Sequence, residues 1–320
     1  MQRILVVRNG GLGDTLLTVP AIRALHRCYP DASIEVAGNT EYWSVARDLV
    51  DAIYRADDPA IAEIFATGPR HNFSKRFENV DLLISWSTQP LKDGAEKLPT
   101  LVSANPHPPP GVHASDWLVS TLTDQAVLEA SNDDRELCLT LSAEANTQAD
   151  AVFASLGLSR PVLIHPGAGA PWKRWPADRF AELAGRLLHR GHEVAMLAGP
   201  ADDGAARMVQ GVVPIAVVRE TRPPVVAAIL GRSPAFAGND SGISHLAAAV
   251  GAPGVALFGP TDPASWAPRG RIEVVRSCVK PASYQGQIRV CENADCMSSI
   301  GVSEVYLALE RVLAREQGKA

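Results

Sequence analysis

The sequence has little cysteine: five residues in 320, at positions 28, 138, 278, 291 and 296. That is too few and too scattered for a disulfide scaffold, and without a C-x-x-C pair the usual spacing of a structural zinc site is missing. Long apolar runs are also absent. Runs such as Ile4–Val7 fall far short of the roughly 20 residues that a bilayer span requires. Met1-Gln2-Arg3 leads straight into that run, with no apolar core of a signal peptide, so a cytoplasmic protein with reduced thiols is expected. The net charge is only −5, which gives no global attraction to nucleic acid. The chain has no Asp-x-Asp pair to hold a divalent cation on a nucleotide diphosphate. It also has no Gly-x-Ser-x-Gly nucleophile elbow, no G-x-G-x-x-G and no P-loop.

What is present is the composition of an ordinary globular protein, 46% hydrophobic and 20% charged, with 25 Gly and 24 Pro. At about 150 residues per domain the length predicts two domains. The charge is uneven between the halves. Residues 1–160 carry 13 Lys and Arg against 21 Asp and Glu, a net of −8, while residues 161–320 carry 17 against 14, a net of +3. The second half is the better host for an anion.

Ile4–Val7 reads as a buried strand, followed by the turn Asn9-Gly10-Gly11-Leu12-Gly13-Asp14 and a helix with Leu16, Leu17, Val19, Ile22 and Leu25 on one face. A strand over Ser33–Ala37 completes a βαβ unit, which implies a parallel sheet. Pro99–Gly111, with five prolines, reads as a loop. The pattern restarts with a helix over Glu144–Leu156 and a strand over Pro161–His165. The second half then alternates strands and helices to a last helix over Ser303–Ala314. The predicted domains are 1–155 and 156–302, with 303–320 as a C-terminal helix that could cross back to the first. Two α/β units of this kind suggest a cleft between them, with ligands outside the carboxyl ends of the strands.

Four turns at strand ends are chemically dense. In the first, glycines let a ligand approach the backbone, and Asp14 either caps the helix or accepts a proton. The residues alone favour the cap. In the second, His165-Pro166-Gly167-Ala168-Gly169 leads to Trp172-Lys173-Arg174-Trp175-Pro176. Two cations at a strand-end turn suit a diphosphate, against the alternative of solvated charges and core tryptophans. The third, Gly238-Asn239-Asp240-Ser241-Gly242-Ile243-Ser244-His245, opens a helix. Its N–H groups can hold phosphate oxygens, or Ser241 or Ser244 caps the helix and His245 is packed core. The fourth, Phe258-Gly259-Pro260-Thr261-Asp262-Pro263, is by itself only a turn. Arg70, His71, Lys75 and Arg76 form a small basic patch in the acidic half.

In this order the four segments resemble glycosyltransferase family 9, the heptosyltransferases of lipopolysaccharide core assembly. Thr18-Val19-Pro20-Ala21, Leu246-Ala247-Ala248 and Cys296-Met297 extend the match, and residues 40–110 match weakly. The resemblance implies a GT-B architecture, two Rossmann-like domains with parallel sheets facing a central cleft. The first domain would take a glycan or glycolipid acceptor, and the second a nucleotide sugar, typically ADP-heptose. It implies an inverting transfer without an obligatory metal or other cofactor, which agrees with the missing Asp-x-Asp. Asp14 would be the general base and Lys173 would neutralise the leaving diphosphate. Gly167, Gly169, Lys173, Arg174, Thr221, Asp240, Ser241, Gly242 and His245 would contact the donor, with Thr221 approaching the adenine through its backbone. Gly11, Gly13, Arg70, Lys75 and Arg76 would meet the acceptor. No nucleic acid is implied, and membrane contact would be at most peripheral, at the inner face of the cytoplasmic membrane. The alternatives are a related transferase with another nucleotide sugar or with a natural-product or protein acceptor, a non-catalytic nucleotide-sugar-binding protein, and an epimerase of GT-B shape.

Overall fold

The computed structural model describes residues 1–63, 65, 77, 79–88, 100–129, 137–277 and 296–318. Arg70, Lys75, Arg76, Cys278 and Cys291 therefore lie outside the described residues. The chain divides into two compact units, Met1–Leu137 and Cys138–Ala320.

The first unit runs through β1 (Arg3–Val7), α1 (Leu12–Cys28), β2 (Ser33–Gly38), α2 (Thr40–Trp43), β3 (Ala52–Arg55), α3 (Pro59–Ala62), β4 (Leu82–Trp86), β5 (Leu101–Ala104) and α4 (Ala114–Thr123). The described strands pair in the order β3-β2-β1-β4-β5, all parallel. Ile4, Leu5 and Val6 are fully buried. Such continuous apolar strands are required where a parallel sheet is covered on both faces. β5 corrects the loop reading of 99–111. Among the described strands it pairs with β4 alone, and Val102 is fully buried there. Of the five prolines, only Pro99 precedes the strand, and the rest follow it. An edge strand bounded by prolines loses no ladder bond to them.

The second unit begins with α5 (Ala143–Ser155) and β6 (Val162–His165). It continues through α6 (Ala177–His189), β7 (Val194–Leu197), α7 (Asp203–Val212), β8 (Ala216–Val218), α8 (Pro223–Arg232), β9 (Phe236–Asn239), α9 (Gly242–Ala249), β10 (Gly254–Phe258), α10 (Pro263–Trp266), β11 (Ile272–Arg276) and α11 (Val302–Gln317). The strand order is β11-β10-β9-β6-β7-β8, again all parallel. The unit starts earlier than the expected residue 156 because α5 packs on α8. Arg232 Nε pairs with Asp150 at 2.7 Å, and its Nη1 and Nη2 reach the side chain and carbonyl of Asn146. α11 also packs within this unit, against α6, β10 and β11. Its Val305, Ala308, Leu309, Val312 and Leu313 join the same core as Phe180 and Leu187. Both sheets are all parallel and Rossmann-like, as a GT-B architecture requires of each of its domains.

Among the described residues no helix is long and apolar enough to cross a membrane.

Candidate active site

In an open parallel sheet, ligands bind where successive connections leave to opposite sides. In the first unit that point lies at the carboxyl end of β1, between β2 and β4. In the second it lies between β6 and β9. The sequence places its densest turns at these two points.

In the first unit the Gly10 backbone has a φ of +152°. A Cβ there would lie 2.6 Å from Asp14 Oδ2, so the turn needs a residue without one. Gly11 precedes α1, and Gly13 lies in its first turn. The Asp14 carboxylate reaches back to accept the Gly11 N–H at 2.8 Å. The capping role is thus physically real, although Asp14 fills it from inside the first turn rather than at the cap position. Its other oxygen, Oδ1, accepts from Arg8 Nη2 at 2.6 Å. Arg8 Nη1 donates to the Asn9 carbonyl at 3.0 Å. The Arg8 side chain is only 7% exposed, whereas that of Asp14 is 35% exposed. Burial pulls the Arg8 guanidinium below its ordinary pKa, and the neighbouring Asp14 charge opposes that shift. Arg8 was not among the residues singled out from sequence. Its only signal there is a cation directly after an apolar strand.

In the second unit Lys173 Nζ lies 2.8 Å from Asp240 Oδ2. Lys173 remains partly exposed and Asp240 is buried. That oxygen makes no directed hydrogen bond, so the contact is an ion pair. The pair depends on Asn239, which is fully buried at the end of β9. Asn239 Oδ1 accepts the Trp175 N–H at 3.0 Å, and Nδ2 donates to the Pro166 carbonyl at 2.8 Å. One amide thereby joins the Lys173 turn to the Asp240 turn. Asn239 was visible only as part of a motif, since sequence shows no bonding partner.

α9 begins at Gly242, and Ser241 precedes it. The Ser244 and His245 N–H groups bond to the Ser241 carbonyl. The amides of Gly242 and Ile243 stand at the helix start, where no carbonyl lies a turn back to receive them. The Ser241 hydroxyl does not cap the helix and is buried without a hydrogen-bond partner. Ser244 Oγ instead donates to the Asn239 carbonyl. His245 is buried on α9.

His165 is buried at the end of β6, and its Nδ1–H donates to the Leu197 carbonyl at 3.0 Å. Burial first, and then nearby Arg174, depress its pKa; the Leu197 bond and Asp202 oppose this. A Cβ on Gly167 would collide with Asp202 Oδ1 and the His165 ring, so glycine is sterically required there. Gly169 is exposed with open space around it. Arg174 is exposed and donates to the Ala168 carbonyl at 3.2 Å. The two tryptophans take different roles. Trp175 is core: its Nε1–H donates to the Ile300 carbonyl, and its ring meets Phe180 edge-on at 4.9 Å. Trp172 is 38% exposed beside Lys173. Thr221 follows edge strand β8 and is exposed, and its N–H already donates to Glu220 Oε1 at 2.9 Å. Cys296 is a buried cysteine outside any disulfide, and a Cβ on Gly259 would lie 3.0 Å from its Sγ.

The chain is similar to lipopolysaccharide heptosyltransferase 3 of Escherichia coli K12, at 26% identity over 80% of this chain and 82% of that protein. It is 28% identical to lipopolysaccharide heptosyltransferase 1 of Pseudomonas aeruginosa, over 85% of this chain and 83% of the relative. Among solved structures, the E. coli ADP-heptose LPS heptosyltransferase II superposes with a TM-score of 0.78 at 20% identity, covering 99% of this chain and 100% of that one. The family model for glycosyltransferase family 9 (heptosyltransferase) matches residues 107–289, more than half the chain and the whole of the Lys173–Asp240 site. The chain belongs to glycosyltransferase family 9.

Proposed function

We propose that this glycosyltransferase moves a heptose from ADP-heptose, with inversion and without a metal ion, to a hydroxyl of a lipopolysaccharide core acceptor. The observation that carries the reading is the Lys173–Asp240 ion pair at the switch point of the second sheet, beside the free amides that open α9. A lysine ammonium has three N–H donors, and its contact with Asp240 is an ion pair without a directed hydrogen bond. Those donors suit a diphosphate, as do the amides of Gly242 and Ile243. Asp240, with its remaining oxygen, suits sugar hydroxyls, and Gly167, Gly169, Arg174, Ser241, Thr221 and His245 complete the donor contacts.

The acceptor hydroxyl gives its proton to Asp14. Its oxygen forms a bond to the anomeric carbon as the bond from that carbon to the diphosphate oxygen breaks, and ADP departs. Lys173 meets the charge that grows on the diphosphate, in the manner of preorganised donors that stabilise a transition state. Gly11 and Gly13 would let the acceptor approach the Asp14 turn, and the basic residues Arg70, Lys75 and Arg76 suit an anionic acceptor. A glycolipid acceptor would be met by peripheral contact at a membrane surface.

The test is ADP release with ADP-heptose and a core glycolipid lacking its heptose, with UDP-glucose as the control donor. Product is expected with ADP-heptose plus acceptor and not with UDP-glucose. Binding without product supports the non-catalytic alternative, and conversion of the nucleotide sugar without acceptor and without net ADP release supports the epimerase. Asp14→Asn should lower kcat at least 100-fold, the lower range for loss of a general base, with ADP-heptose affinity kept. A melting curve must accompany it, because Arg8 then loses its counter-charge. A variant that folds and retains wild-type turnover would exclude Asp14 as the base.

A further inference from the structure

We infer that Arg8 is a positioning residue, which holds the Asp14 carboxylate in the orientation that transfer requires. This rests on the reading of Asp14 as the base.

Packing alone does not account for Arg8. It stands one residue past β1, where its own N–H continues the ladder to the Ala37 carbonyl at 2.9 Å. Its side chain is buried, and Nε has no hydrogen-bond partner. An apolar side chain of similar volume would avoid both costs, and replacing buried ion pairs in this way is often neutral or stabilising. The guanidinium also does not neutralise a second buried charge, because the Asp14 side chain is one-third exposed. What the fork achieves is geometric. Nη1 is anchored on the Asn9 carbonyl while Nη2 fixes Asp14 Oδ1, and the Gly11 N–H fixes Oδ2 from the helix side. Two donors on two different oxygens stop the carboxylate from rotating about its last bond. Each oxygen keeps a further lone pair, so a carboxylate held this way can still accept a proton. Without Arg8, a one-third exposed carboxylate in the first turn of α1 would be held by the Gly11 N–H alone and would gain rotational freedom, and small misplacements of a reacting group reduce rate.

The role is separable from that of the donor site, since the Arg8 side chain bonds to Asn9 and Asp14, both within the first unit. Arg8→Met should lower kcat about 30-fold or more with KM for ADP-heptose unchanged within two-fold. Arg8→Lys should fall between Met and the wild type, because Nζ can reach Asp14 but cannot also span to Asn9. The decisive measurement is a double-mutant cycle with Asp14→Asn, followed by ADP release on the full chain. Acting through Asp14, Arg8→Met should change the residual rate of Asp14→Asn by less than three-fold. A full 30-fold further loss in that background would overturn the inference, as would wild-type kcat in Arg8→Met. Should Arg8→Met melt below the assay temperature, Arg8→Lys carries the same cycle, and wild-type kcat there also overturns it. If Asp14→Asn itself keeps wild-type turnover, the base reading fails, and Arg8 has nothing to position.

Discussion

Replacing Asn239 by alanine tests whether one buried amide organises the donor site. The substitution leaves the Trp175 N–H and the Pro166 carbonyl without their partners, both at buried residues. Each orphaned group costs about 1–3 kcal/mol. Together they should lower the stability of the second unit by about 3 kcal/mol, a factor of roughly 100 in its folded-to-unfolded ratio. The small cavity left by the side chain adds to this. Urea unfolding of the full chain should therefore show an earlier transition for that unit. Hydrogen exchange adds site resolution, because the Trp175 amide should lose protection before its neighbours in α6. Function should follow, since the same bonds place the turns that carry Lys173 and Asp240. ADP affinity, read by calorimetry, should fall at least ten-fold at temperatures where the variant is still folded. Asn239→Asp should be no better than alanine, because it turns the donor facing Pro166 into a second acceptor and buries a charge. A loss below about 1 kcal/mol with the Trp175 amide still protected would refute the reasoning. So would lost stability with unchanged ADP affinity in the folded protein.

Two further outcomes follow from the same site. Lys173→Met removes the ammonium while keeping most of the aliphatic stem. It should weaken ADP-heptose binding and lower kcat, both measured by ADP release; unchanged values would remove Lys173 from the diphosphate. His165 titrates below its ordinary pKa, chiefly because it is buried. Below about pH 6.5 the unfolded chain therefore binds a proton that the native imidazole does not. Stability should be fully present above that pH and decline as pH falls, with a slope from this group of at most about 1.4 kcal/mol per pH unit. His165→Asn offers an amide donor in place of Nδ1–H without titrating, so unfolding midpoints between pH 5 and 6.5 should flatten. An unchanged slope would assign the effect to other groups.

Much of the molecule could be read from the chain itself. Continuous apolar runs such as Ile4–Val7, each followed by a glycine-rich turn and an amphipathic helix, determine parallel α/β units. The reason is local: the side-chain period and the turn chemistry are properties of neighbouring residues. Asp14, Lys173 and Asp240 stood out in the same way, because each sits in a turn dense with glycine and polar groups. β5 was hidden because its strand character comes from pairing with β4, not from its own short run between prolines. The first residues of the second unit were likewise settled by Arg232 reaching Asp150 and Asn146 across about 80 positions of chain.

Only the tertiary structure decided what these residues do to one another. It paired Lys173 with Asp240, made Trp175 core while leaving Trp172 exposed, and occupied the Thr221 amide with Glu220. It also revealed Arg8, buried at the end of β1 with bonds to Asn9 and Asp14 in the turn that follows, and Asn239, whose partners Trp175 and Pro166 lie far away in the sequence. Burial and side-chain orientation depend on what packs around each residue, and they exist only once the sheets have assembled.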